Sequence, residues 1–97
     1  MCTYQTTLVD LDGSGKTANG WQAMSRASVY VDHPVHFASG HAVMIDVLNP
    51  ELGPSARVAL EMDAASAQAL AEAILHALAE TPSDILLDTH RRASAST

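Results

Sequence analysis

Cysteine is nearly absent: Cys2 is the single one in 97 residues. That excludes an intramolecular disulfide and suits a reducing compartment. Aromatic side chains are scarce as well, with one Trp, two Tyr and one Phe, so a core must be built mainly from aliphatic groups. Positive charge is the third shortage. Five Lys and Arg stand against 11 Asp and Glu, for a net charge of −6, and the five are scattered along the body. A surface that tracks phosphates needs clustered cations, so nucleic acid is not an expected partner. No basic segment followed by an apolar stretch opens the chain, and no apolar run approaches the length of a membrane span. The expectation is a cytoplasmic protein with no membrane partner.

What is present is ample aliphatic character. Hydrophobic residues make up 47% of the chain, which is the composition of a folded protein and not of a disordered one. The length suits one small domain, expected over residues 1–81, with residues 82–97 as a tail. Thr3 to Val9 is rich in β-branched and aromatic residues and reads as a first strand. Asp10 to Gly20 holds three glycines, two aspartates and Asn19, a loop composition. Trp21 to Val31 resumes strand-like alternation, and Pro34 ends it by removing a backbone donor. His41 to Leu48 reads as a third strand, Asn49 to Pro54 as a turn, and Arg57 to Met62 as a fourth strand with Val58, Leu60 and Met62 on one side.

After Met62 the period changes from two to 3.6. Ala67, Leu70, Ala71, Ile74, Leu75 and Leu78 form one helical stripe, Asp63 is suited to cap its start, and Pro82 ends it. His76 lies opposite that stripe and reads as a solvated side chain. The fold class is therefore α+β: a four-stranded antiparallel meander with one C-terminal helix across one face. The third strand is apolar on both sides, as buried strands are. One helix covers one face only, so a homo-oligomer is expected to cover the other.

Two motifs bear on chemistry. Gly13-Ser14-Gly15-Lys16-Thr17 imitates a phosphate-binding loop, but the pattern requires glycine where Asp10 stands and a helix where Ala18-Asn19-Gly20 follows. It reads as a hairpin loop. The stretch from Asp32 to His41 is more informative, because His33, His36 and His41 occupy nine positions. Imidazole is the commonest metal ligand in proteins, and a short connection with three of them can surround an ion. In an antiparallel pair centred on Phe37, His33 faces His41 and His36 sits at the tip. Strand directions bring Cys2 and Asp63 to the same end of the sheet, where a helix N-terminus would favour a thiolate. The plain alternative is that these histidines are merely solvated and that Asp32 pairs with His33 at the surface.

The segments Met1-Cys2-Thr3-Tyr4-Gln5-Thr6, Asp32-His33-Pro34-Val35-His36 and the helix from Asp63 to Leu78 resemble a group of short bacterial proteins classed as a domain of unknown function. The resemblance extends to about Thr81. It implies one compact unit and assigns no catalytic role.

The functional expectation is a small metal-binding protein, with His33, His36 and His41 holding the ion and Cys2 as a fourth ligand or a nucleophile. Zinc suits these donors best, and iron, copper and nickel share them. With an open coordination position the ion would act on a small-molecule substrate as a Lewis acid or by activating water. Asp32 or Asp63 would then orient an imidazole or carry a proton. The alternatives are a non-catalytic metal- or ligand-binding module or accessory subunit, and a structural oligomer.

Overall fold

The computed structural model describes residues 5–38 and 40–86. It divides into two compact units, Met1–Ala64 and Ala65–Thr97. The first holds a four-stranded sheet: β1 (Thr7–Thr17), β2 (Gly20–Asp32), β3 (Ala42–Leu48) and β4 (Arg57–Met62). Each strand pairs antiparallel with the next, in the order β1-β2-β3-β4. A 3₁₀ turn over Pro50–Leu52 links β3 to β4. Then come α1 (Ala64–Ala79) and the short α2 (Ser83–Leu86). The α+β class and the antiparallel meander are as the alternation implies.

The largest departure lies in the glycine-rich segment, which is strand and not loop. β1 runs on to Thr17, with Ser14 opposite Ala23 and Lys16 opposite Trp21. Two features explain why glycines are at home in it. The pairing shifts between Asp10 and Gly13, where a bulge absorbs an extra residue. At Gly15 a Cβ would sit 3.2 Å from Met24 Cγ and 3.4 Å from Val58 Cγ2, so the backbone approaches more closely than a side chain would easily permit. Only Ala18 and Asn19 turn the chain, and Gly20 completes that turn at φ 94°. Thr17 Oγ1 accepts the Asn19 N–H at 3.1 Å. A segment with this role has no phosphate-cradling loop in it.

The buried positions of β2 are Met24 and Ala27, an odd spacing, so the strand changes its inward parity opposite the β1 bulge. β1 also comes against β4, which curls the sheet around Met24, Ala27, Ala56 and Gly15. By register, Val29 and Val31 share one face with Val43, Ile45, Val47, Leu60 and Met62. The opposite face carries Tyr30, Met44, Asp46, Leu48, Arg57 and Glu61. Strand β3 is thus apolar on one side and mixed on the other. Asp46 there accepts two bonds from Arg57, at 2.7 and 3.1 Å, and one from the Tyr30 hydroxyl at 3.3 Å.

In the second unit, α1 presents Ala67, Leu70, Ala71, Ile74, Leu75 and Leu78 on one side by its 3.6-residue period. It ends where Thr81 Oγ1 donates to the Ala77 carbonyl at 2.6 Å, just before Pro82. His76 faces solvent, with its Nε2 3.8 Å from Glu80 Oε1.

Candidate functional site

The antiparallel register decides which residues meet. Thr7 pairs with Val29, Asp32 with Ala42, and Val43 with Met62. The start of β1, the end of β2, the start of β3 and the end of β4 therefore share one end of the sheet. The connection from His33 to His41 bridges β2 and β3 there, and Asp63 follows β4 directly.

His33 and His41 flank the Asp32–Ala42 pair, and their rings face each other with centroids 4.4 Å apart and planes tilted by 37°. His33 Nδ1 lies 2.8 Å from the Gly40 carbonyl oxygen. A carbonyl only accepts, so the proton is assigned to Nδ1 and the lone pair to Nε2. Anchoring one imidazole nitrogen on a carbonyl is the usual way proteins orient a metal-ligating histidine.

His36 is held differently. Its side chain is 86% exposed, and its Nδ1 lies 3.8 Å from Glu61 Oε2. The backbone around it is well anchored. Glu61 Oε1 accepts the His36 N–H at 2.9 Å, and Glu61 Oε2 accepts the Val35 N–H at 3.2 Å. Burial pushes the Glu61 carboxyl up, but the two amides and the His36 imidazole outweigh it and hold the group below its ordinary value.

Asp32 Oδ1 accepts the N–H of His33 at 2.7 Å, so this carboxylate caps the end of β2 and does not meet the His33 ring through that bond. Asp63 is exposed at the end of β4. Cys2 lies outside the described residues, as does His90. Among the described residues, no three His, Cys, Asp or Glu side chains are gathered closely enough to hold one ion. The arrangement brings His33 and His41 together, keeps His36 on the same connection with its ring turned to Glu61, and leaves Asp32 and Asp63 at the rim.

Glu61 is the residue that the sequence reading passed over. It occupies the polar parity of β4 with Arg57 and Ala59, two places before Asp63, and the same strand-direction argument that selected Asp63 applied to it. A shallow cavity of about 290 Å³, lined by Leu48, Pro50, Gly53, Pro54, Ala56 and Arg57, lies at the other end of β3. The seven residues of β3 put it roughly 20 Å from the histidines at ~3.3 Å per residue.

The chain belongs to DUF6295, a family of unknown function whose family model matches residues 1–87. No curated protein and no solved structure matches the chain.

Proposed function

We propose that this is a small metal-binding protein whose ion is held by the β2–β3 connection through His33, His36 and His41. The observation that carries this reading is the facing pair His33 and His41, with rings 4.4 Å apart and one imidazole oriented by a backbone carbonyl. Ligand nitrogens about 2.0–2.1 Å from one zinc ion stand a little over 3 Å apart, a separation that two rings with centroids 4.4 Å apart can reach by side-chain rotation. His36 supplies a third imidazole from the same connection. Cys2 is the candidate fourth donor. Zinc is the first choice for an imidazole-rich set, with iron, copper and nickel as competitors.

Within this reading a binding module is favoured over an enzyme. The described cavity lies at the far end of the sheet from the histidines, and His36 stands open to solvent. An exposed, loop-borne site suits an ion that is taken up and handed on. Catalysis on a small molecule would need a substrate pocket beside the ion, and Asp32 or Asp63 as the proton carrier.

The test is calorimetric uptake of zinc by tag-free protein at neutral pH. One ion per chain is expected. His33→Ala, His36→Ala and His41→Ala should each weaken binding strongly, while His76→Ala and His90→Ala leave it unchanged. Uptake should fall on acidification, because imidazole must be deprotonated to bind a metal. Absence of uptake, or uptake indifferent to the three alanine variants, overturns the proposal.

A further inference from the structure

We propose that Glu61 is a positioning residue for the histidine connection: its carboxylate gathers the Val35 and His36 N–H groups and so sets the path of the chain between His33 and His41. The functional consequence rests on the metal-binding reading. The positioning itself does not.

From His33 to His36 the connection has three N–H groups, since Pro34 has none. Asp32 takes the first, at 2.7 Å. Glu61 takes the other two, one on each oxygen, at 2.9 and 3.2 Å. A loop normally gives such groups to water. Here each one is claimed by a carboxylate, and the two on Glu61 are reached across 25 and 26 residues of sequence.

Position in the sheet gives these bonds their leverage. Strand order places β3 between β2 and β4, so a connection that starts on β2 and ends on β3 is drawn past β3 to the next strand. Ala42, on the same face as Met44 and Glu61, is only 2% exposed. The Glu61 side chain is itself 16% exposed, a sheltered place in which charge-assisted hydrogen bonds hold well. Two acceptor oxygens are needed for two adjacent donors. Glutamine offers one oxygen and would set an NH₂ group against the second N–H.

Glu61→Gln, Glu61→Ala and a surface control, Glu72→Gln, separate positioning from the loss of one negative charge. Amide proton shifts of Val35 and His36 and the His33–His41 ring contact are read by NMR at neutral pH, with β1–β2 amides reporting that the sheet is intact. In the native protein both amide protons should lie downfield. Glu61→Gln should release one of them, Glu61→Ala both, and the ring contact should weaken in that order, while Glu72→Gln changes nothing. Zinc affinity should fall about tenfold in Glu61→Gln and further in Glu61→Ala, the scale of losing an outer-shell partner. Unchanged amide shifts and ring contact in Glu61→Gln overturn the positioning role whether or not metal binds. If the native protein takes up no zinc, the metal reading falls and the NMR result alone decides on Glu61. If the ring contact is lost but zinc affinity stays, the positioning has no bearing on the ion and the functional half of the proposal is overturned.

Discussion

Replacing Asn49 with alanine removes two side-chain hydrogen bonds that tie the far end of the sheet together. Asn49 is buried to 8% exposure. Its Nδ2 donates to the Ala23 carbonyl at 3.1 Å, and its Oδ1 accepts the Glu51 N–H at 3.1 Å. The first bond joins the β3 end to β2, and the second caps the 3₁₀ turn. The backbone bonds of Asn49 to Ala56 and Leu52, both 3.0 Å, survive the change. Each lost bond is worth about 0.5–1.5 kcal/mol net, and both former partners lie on exposed residues that water can reach. The sum is therefore about 1–2 kcal/mol. For a domain of this size each kcal/mol moves Tm by roughly 4–8 °C, so a fall on the order of 10 °C is expected by calorimetry or circular dichroism. Asn49→Asp makes the reasoning refutable. Aspartate fills the same volume and still accepts from Glu51, but it turns an oxygen toward the Ala23 carbonyl in place of a donor. It should cost at least as much as alanine. A near-native Asn49→Asp beside a damaged Asn49→Ala would mean that volume matters here and the hydrogen bond to Ala23 does not. Zinc affinity at a temperature where both variants are folded should be native, because the histidines sit at the other end of β3.

Tyr30 should titrate above 10: burial pushes its phenol up, and the Asp46 carboxylate beside it pushes the same way against an opposing Arg57. Stability from this group is present below about pH 10 and lost as pH rises through the folded value. Phenolate absorbance in a Tyr4→Phe background gives the midpoint, and Asp46→Asn should lower it without fully restoring the ordinary value. Glu61 has the opposite sign. Held below its ordinary 4.5, its contribution is present above that value and lost as pH falls through the folded one, so the Val35 and His36 amide shifts should move together with a midpoint under 4.5. Assembly is the fourth expectation. The uncharged face of β2, β3 and β4 leaves Leu60 at 44% exposure, with Val9 of β1 exposed to the same extent, and on a chain of net charge −6 such a face is where a second copy can approach without like-charge contact. Light scattering should report an oligomer that Leu60→Lys dissociates, since a buried unpaired charge is strongly disfavoured; a native monomer at concentrations on the order of tens of micromolar refutes it, because a dimer with a Kd of about 1 µM, roughly −8.2 kcal/mol, would be mostly assembled there.

Periodicity carried the elements that repeat cleanly. Val58, Leu60 and Met62 alternate, Ala67 to Leu78 fall every three or four residues, and both segments have the predicted form. The glycine-rich stretch did not read correctly because composition speaks for turns whenever glycines and aspartates cluster. The segment from Asp10 to Thr17 is a strand because it pairs with β2, and Gly15 within it approaches Met24 and Val58 closely; no local pattern encodes such tertiary contacts. The third strand shows a related limit. Its apolar run suggested burial on both faces, whereas Asp46 among those residues gathers Arg57 and Tyr30 into a polar cluster on one face.

At the candidate site the divide falls between facing and gripping. Antiparallel register alone puts His33 opposite His41, because residues flanking a hairpin connection must meet. It also puts the end of β4 nearby. It does not say which carboxylate there will be used, and the choice turns on pleat. Asp63 lies beyond the strand and is exposed. Glu61, two residues earlier, is still fixed by the ladder opposite Met44, and its side chain stands on the face over which the connection folds. A strand residue is held in orientation by the ladder, so its carboxylate can organise the loop at little further entropic cost. The general consequence is that carboxylates at the last outward position of a strand are better candidates for holding a neighbouring connection than those just past its end. In this chain that consideration selects Glu61 over Asp63.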